Sequence, residues 1–302
     1  LALAALGNWL MAFISGFETF VRTDELLAPH TWFKLGGPAR YFAEPTTVDE
    51  LAAVVRRAGE ESMGVRMLGG GSNLLVRKPG VPDVVVRLSN PAFTKITPAK
   101  NQLAAGGGAK LGHVISAAVR DGLAGLETLV GIPGTVGGAL HGNAGSRGGD
   151  IGQWVCQATL MTETGEILSR NRDELVFAYR ESSLDELAIL DVKFQLEQDN
   201  PEELTKRMQK QWIVKKANQP LDHQSAGCIF KNPRGMSAGM LIDQAGLKGT
   251  RIGGAEISDR HANFIVTDNG ATSDDVLQLI DQVRERVFER LGVELELEIE
   301  VW

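Results

Sequence analysis

The stretch TLVGIPGTVGGALHGNAGSRGGDIG, residues 128–152, holds nine glycines in 25 positions and carries only two charged side chains. Glycine loses more conformational freedom on folding than any other residue. This density therefore suits a chain that needs unusual backbone angles and brings bare N–H groups close to a ligand. A flexible linker of similar glycine content is serine-rich and lacks interleaved apolar residues. Here Leu129, Val130, Ile132, Pro133, Val136, Ala139 and Leu140 would anchor the loop to a core, so the stretch reads as a ligand cradle.

Working outward, two more glycine runs lie upstream. Gly69, Gly70 and Gly71, followed by Ser72 and Asn73, come directly after a strand expected at 65–68 and lead into LLV at 74–76, a KPG turn at 78–80 and a strand at 84–88. A strand after the glycines excludes a P-loop, and also a Rossmann fingerprint, since both open a helix. Another run at 106–108 precedes a helix carried by Leu111, Val114, Ile115, Ala118 and Val119 and ended by Gly122. Thr47 and Glu50 form a capping box for an earlier helix, with Leu51, Val54, Val55 and Ala58 on one face, continuing to Gly64.

Beyond the long loop, strands are expected at 157–161 and 187–194, separated by EIL at 166–168 and a helical turn at 173–177, and followed by a linker at 197–203 that contains Pro201. A second unit follows with a helix over 202–216. Its strongest helix is 273–291: Ser273 caps it, Val276, Ile280, Val283, Val287 and Leu291 line one face, and Gly292 stops it. The last strand alternates, with Val293, Leu295, Leu297, Ile299 and Val301 on one side and Glu294, Glu296, Glu298 and Glu300 on the other.

A chain of 302 residues with 43% hydrophobic and 23% charged content has room for two or three packed units of a soluble globular protein. A net charge of -7 argues against general affinity for nucleic acid or an anionic membrane. Cys156 and Cys228 are far apart, without a CxxC or histidine cluster, so neither a disulfide framework nor a metal site is expected and a reducing cytoplasm fits. The opening LALAALGNWLMAFISGF is nearly all apolar yet lacks the basic start of a signal peptide. It also falls short of the roughly 20 apolar residues of a membrane span. Met11 reads as the native start and residues 1–10 as a translation artefact, against a competing reading as an amphipathic docking helix.

Several pieces in this order and spacing resemble the UDP-N-acetylenolpyruvoylglucosamine reductase family, of peptidoglycan precursor synthesis, from about Thr31 to the C-terminus. They are TWFKLGGPA at 31–39, LGGGSNLLV at 68–76, the loop at 131–152, YRESS at 179–183, AGCIFKNP at 226–233, LIDQAGLKG at 241–249, DRHANF at 259–264 and GVELELEI at 292–299. The resemblance implies an α+β fold. An N-terminal extension at 1–16 would precede an FAD-binding domain of the vanillyl-alcohol-oxidase (PCMH) type in two subdomains at 17–197, and a substrate-binding domain would occupy 198–302. By the same resemblance, Gly69, Gly70, Gly71, Ser72, Asn73, Ile132, Gly134, Thr135, Gly137, Gly138, Asn143 and Gly145 would hold FAD, with NADPH as the reducing co-substrate. Two adjacent phosphates call for many short donors without bulky side chains, which backbone N–H groups supply.

In that family hydride reaches the enolpyruvyl double bond of UDP-GlcNAc-enolpyruvate, giving UDP-N-acetylmuramate. Negative charge develops beside the carboxylate, so the site needs a cation, an acid and an electrostatic orienter. On the matching positions Arg180 would hold the carboxylate and developing enolate, Cys228 would donate the proton, and Glu298 would assist polarisation. Tyr179, Lys231, Asn232 and His261 would contact substrate. Without the resemblance, Arg180 reads as a surface residue, Cys228 as a small buried hydrophobe and Glu298 as one of four solvated glutamates.

Some positions depart from the family pattern. Cys228 replaces a more familiar serine, and a thiol with an ordinary pKa of about 8.5 stays mostly protonated at neutral pH while releasing its proton more readily than a hydroxyl. A lysine expected near Gln219 is replaced by Asn218 and Gln219, leaving Lys215, Lys216 or Lys231 to meet the diphosphate. His141, Gly142 and Arg147 also differ from common choices. With only Tyr41 and Tyr179 present, no tyrosine-bearing lid is available, which matches the short, lid-free branch. A monomer acting on small molecules, without nucleic acid, membrane or metal, is expected. The alternatives are another flavin oxidoreductase, or an FAD electron-transfer subunit, of the same superfamily. Neither calls for Arg180, Cys228 and Glu298 together.

Overall fold

The structure, a computed structural model, describes residues 13–146 and 148–302. The readings of residues 1–10, of Met11 and of Arg147 lie outside the described residues. Two compact units are present: one comprises the chain up to Glu25, Ala39–Gly70 and Pro82–Trp212, the other Leu26–Pro38, Gly71–Val81 and Ile213–Trp302. A single cut at 197/198 does not describe them. Phe33 and Leu75, early in sequence, are fully buried in the core of the second unit.

In the first unit, α1 (Val48–Glu60) starts at the Thr47–Glu50 capping box and buries Leu51, Val54, Val55 and Ala58. It ends four residues before Gly64, where Ser62 turns the chain at φ 54°. This face joins Phe13, Tyr41, Val84 and Val86 in one core, so Phe13 belongs to the fold and not to a detached extension. The associated sheet runs Val21–Leu26, Pro38–Ala43, Val81–Val86, Val65–Met67, the last two parallel.

An antiparallel sheet follows, ordered Ile167–Asn171, Val155–Met161, Ala188–Gln195, Gln102–Gly106, Ile96–Ala99. It shares a core with α2 (Leu111–Arg120) and α3 (Val136–His141), through Leu103, Val114, Leu140, Val192 and Phe194. Each such side chain contributes about 1.5–3 kcal/mol on burial. The helical turn expected at 173–177 is the short 3-10 segment Arg172–Glu174.

The linker expected at 197–203 is structured. Glu197–Gln198 pairs antiparallel with Leu123–Ala124, and Pro201 opens α4 (Pro201–Asn218). Proline fits a first helical position because its missing N–H has no intrahelical partner there. Asn200 Oδ1 accepts the N–H groups of Glu202 and Glu203 at 2.8 and 3.3 Å.

The second unit holds the antiparallel sheet Arg251–Ile252, Ala255–Ile257, Ile265–Thr267 beside α5 (Ala238–Gln244) and α6 (Ser273–Leu291). Its core includes Phe230, Leu241, Val276, Ile280, Val283 and Val287. Thr272, not Ser273, caps α6, in a capping box with Asp275; Ser273 Oγ accepts the Lys78 N–H at 3.1 Å instead. Gly292 ends the helix in the left-handed conformation, φ 68° and ψ 21°.

The final extended segment is not one regular strand, because it changes partners midway. Lys231 N–H donates to Glu296 O and Glu298 N–H to Ile229 O, antiparallel, whereas Glu300–Val301 pairs parallel with Leu74–Leu75.

Candidate active site

Within the first unit, the glycine runs come together backbone to backbone. Gly137 N–H donates to Gly107 O at 2.7 Å, Val136 N–H to Ala109 O at 2.9 Å and Leu111 N–H to Gly134 O at 3.0 Å. A Cβ on Gly70 would lie 2.6 Å from Gly134 Cα, and one on Gly69 would lie 2.8 Å from Thr135 Oγ1. Thr135 Oγ1 caps α3 by accepting the Gly138 N–H at 3.3 Å. The N–H groups of Gly137 and Gly138 are thus already engaged, and a Cβ on Gly137 would lie 3.0 Å from Gly107 O, so glycine there serves close approach.

The short helix α3 buries Val136, Ala139 and Leu140 and leaves Gly138 and His141 exposed. A Cβ on Gly138 would meet only Thr135 Oγ1, at 3.6 Å, and one on Gly142 only Gly138 O, at 3.9 Å. Ile132 is half-buried against the core. Gly145 pairs with Asp150 in a small hairpin, where a Cβ would stand 2.9 Å from the Asp150 side chain. The backbone at Gly138 and Gly142, with no Cβ and open space beside it, lets a large ligand lie against it next to exposed His141. These residues fit a dinucleotide of the FAD kind.

Arg180 occupies the second position of a two-residue turn between Phe177–Ala178 and Glu181–Ser182. Its φ is 60°, in a region that such a turn normally fills with glycine or asparagine. Its guanidinium lies 5.4 Å from the Tyr179 ring centroid, and Nη1 donates to Gly145 O at 3.4 Å. Asn143, 2% exposed, joins the glycine loop to this turn: Nδ2 donates to Ala178 O at 2.7 Å, while Oδ1 accepts the Gly152 N–H at 3.1 Å.

The second unit carries the remaining candidates. Gly71 adopts φ 63°, and a Cβ there would lie 2.0 Å from His30 O. Ser72 is half-buried in the following turn. Asn73 Nδ2 donates to Glu298 O at 2.9 Å, and Asn73 O accepts the Glu300 N–H at 2.9 Å. Cys228 bridges Phe264, and its neighbour Ile229 accepts the Glu298 N–H at 2.8 Å. Cys228 and Glu298, remote in sequence, therefore stand on neighbouring extended segments. Glu294, Glu296 and Glu300 are exposed, whereas Glu298 is half-buried, a distinction that alternation alone could not make.

Lys231 Nζ lies 3.8 Å from Glu296 Oε2, and Asn232 Oδ1 accepts the Ala238 N–H at 2.9 Å. Lys215 is half-buried and Lys216 exposed in the last turn of α4. Burial lowers the pKa of His261 from its ordinary value; its ring meets Phe264 edge-on at 4.8 Å. Asn263 has no role in the sequence reading. It is 2% exposed, its Oδ1 accepts the Phe230 N–H at 2.9 Å and its Nδ2 donates to Phe230 O at 2.8 Å, so it clamps the segment that bears Cys228. The available signal was a lone amide in the apolar run HANFIV.

Among the described residues no helix is long and apolar enough to cross a membrane, and no cluster of three or more His, Cys, Asp or Glu could hold a metal ion. The first unit is that of an FAD-binding protein, and residues 39–170 match the family described as FAD binding domain. Residues 219–302 match the family described as UDP-N-acetylenolpyruvoylglucosamine reductase, C-terminal domain. The chain is 42% identical over 284 residues to UDP-N-acetylenolpyruvoylglucosamine reductase 2 of Symbiobacterium thermophilum, covering 93% of this chain and 92% of that one. The reductase of Heliobacterium modesticaldum is also 42% identical, over 281 residues, covering 92% and 89%. A crystal structure of the enzyme (MurB) from Thermus caldophilus superposes with a TM-score of 0.81 at 40% identity, covering 94% of this chain and 100% of that one. The chain belongs to the UDP-N-acetylenolpyruvoylglucosamine reductase family, with the α+β, PCMH-type fold expected.

Proposed function

We propose that this protein reduces UDP-GlcNAc-enolpyruvate to UDP-N-acetylmuramate with NADPH, as a cytoplasmic monomer. Gly69, Gly70, Gly134, Thr135, Gly137 and Gly138 would hold FAD against their backbone, and Tyr179, Lys231, Asn232 and His261 would contact the nucleotide-linked substrate. Held there, FAD would supply the hydride-carrier chemistry that links NADPH to the enolpyruvyl double bond.

The chain's own residues manage charge and proton. The Arg180 guanidinium pairs with the substrate carboxylate and stabilises the negative charge that develops beside it, a role in which preorganised donors are most effective. Cys228 Sγ–H gives its proton to the carbon next to the carboxylate, and the thiolate left behind regains a proton from solvent. Glu298 assists polarisation of the double bond. The observation that supports this reading is the pairing of Ile229 with Glu298, by which Cys228 and Glu298 stand on adjacent segments.

The test is NADPH oxidation followed at steady state with and without UDP-GlcNAc-enolpyruvate. Oxidation that depends on this substrate supports the reading; NADPH oxidation indifferent to it, with the flavin reduced instead by simple sugars or hydroxy acids, would reject it.

A further inference from the structure

The Tyr179–Arg180 turn is poorly equipped to hold its own shape. Its flanking strands pair at Phe177 with Ser182 and Ala178 with Glu181, Ser183 N–H donates to Val176 O at 2.9 Å just beyond, and an isolated hairpin this short is marginal in water. Arg180 nevertheless keeps φ 60°, and a left-handed non-glycine residue persists only where its surroundings over-determine it. So short a hairpin calls for restraint from outside as well.

Asn143 supplies a buried restraint. Its N–H donates to Leu140 O at 3.1 Å at the end of α3, and its own φ is 41°, a conformation asparagine tolerates better than most residues. That geometry carries the amide to both Ala178 O and the Gly152 N–H. Beside it, Ser182 Oγ donates to His141 O at 3.0 Å, and Arg180 Nη1 reaches Gly145 O at the long distance of 3.4 Å. With its amide engaged at both ends and its side chain shielded, Asn143 is badly placed to be a donor to a bound cofactor.

We propose that Asn143 is a positioning residue: it fixes the turn that aims Arg180 and does not itself bind FAD. The inference rests on the reading of Arg180 as the group that meets the substrate carboxylate.

The discriminating variant is Asn143→Asp. It keeps an acceptor for the Gly152 N–H but replaces the donor to Ala178 O with an oxygen that repels it. Burial raises the pKa of such a carboxyl, and in its protonated form it donates to Ala178 O again. With the holoenzyme, FAD affinity and the rate of reduction by NADPH should stay within about twofold of wild type, while kcat/KM for UDP-GlcNAc-enolpyruvate falls by about 10–100-fold with KM raised. Relative to wild type, that loss should shrink as pH falls through roughly pH 8 to 5. In an Arg180→Ala background the same change should have little further effect.

Weakened FAD affinity as the main effect, or an undiminished loss in the Arg180→Ala background, overturns the proposal. If Arg180→Ala is impaired and Asn143→Asp is not, this inference alone fails. If Arg180→Ala turns over like wild type, the reading of Arg180 fails as well. Should Asn143→Asp not fold, Asn143→Gly, which keeps the positive φ but lacks the amide, is read in the same way. Failure of both to fold makes Asn143 a requirement of the whole unit and overturns the assignment.

Discussion

Replacing Arg180 with glycine separates backbone strain from function. A left-handed non-glycine residue costs about 1–2 kcal/mol, and glycine removes that cost while losing roughly 0.5–1 kcal/mol to its greater freedom in the unfolded chain. The change also deletes the 3.4 Å bond to Gly145 O, worth about 0.5 kcal/mol at that length. The guanidinium 5.4 Å from the Tyr179 ring contributes about as much. Gains and losses nearly cancel, so Arg180→Gly should shift folding free energy by less than about 1 kcal/mol, while Arg180→Ala, which keeps the strained angle, should be less stable than the glycine variant by about 1 kcal/mol. Turnover should respond very differently. Removing one donor to charge that develops in the transition state typically lowers rates by about 100–1000-fold. Urea denaturation and steady-state NADPH oxidation at saturating FAD read the two quantities. A folded Arg180→Gly enzyme with kcat/KM within about tenfold of wild type would refute the assigned role, and a destabilisation above about 3 kcal/mol would refute the strain.

Other expectations follow from single groups. In a Cys156→Ser background, alkylation of Cys228 should block turnover while reduction by NADPH continues, and full activity after complete alkylation would remove the thiol from the mechanism. Gly292→Ala, at φ 68°, should destabilise the chain by about 1 kcal/mol in urea unfolding, and no change would show that the α6 terminus is not restrictive. Burial depresses the His261 pKa below 6.5 in the folded state. Above pH 6.5 neither state is protonated and its contribution is fully present. As pH falls below 6.5 the unfolded chain takes up the proton first, so stability declines until the folded pKa is reached. His261→Gln should flatten that decline, and an unchanged slope would show that other groups cause it.

Features governed by local rules are legible in the amino-acid sequence. The Thr47–Glu50 capping box and the Gly292 stop act within a few residues of themselves, and the three glycine runs stand out by composition alone. Local ambiguity hides other features. Thr272 and Ser273 are adjacent hydroxyl residues, and only the engagement of Ser273 with Lys78 decides which of them caps the helix. Pro201 marks a linker or a first helical turn equally well, until Asn200 is seen to accept the N–H groups of that turn. Long-range partnerships leave no sequence signal. The amides of Asn143 and Asn263 engage Ala178 and Phe230, residues far away along the chain, and the last segment exchanges one partner for another halfway. Arg180, Cys228 and Glu298 stand out only through the family resemblance; the fold adds a strained angle at Arg180 and a half-buried site for Glu298.

The central claim is best tested by reducing the purified FAD-loaded protein anaerobically with NADPH, adding UDP-GlcNAc-enolpyruvate and following the visible absorbance. The account predicts prompt return of the oxidised spectrum with one equivalent of UDP-N-acetylmuramate per FAD. A spectrum that stays bleached in the presence of this substrate would contradict it.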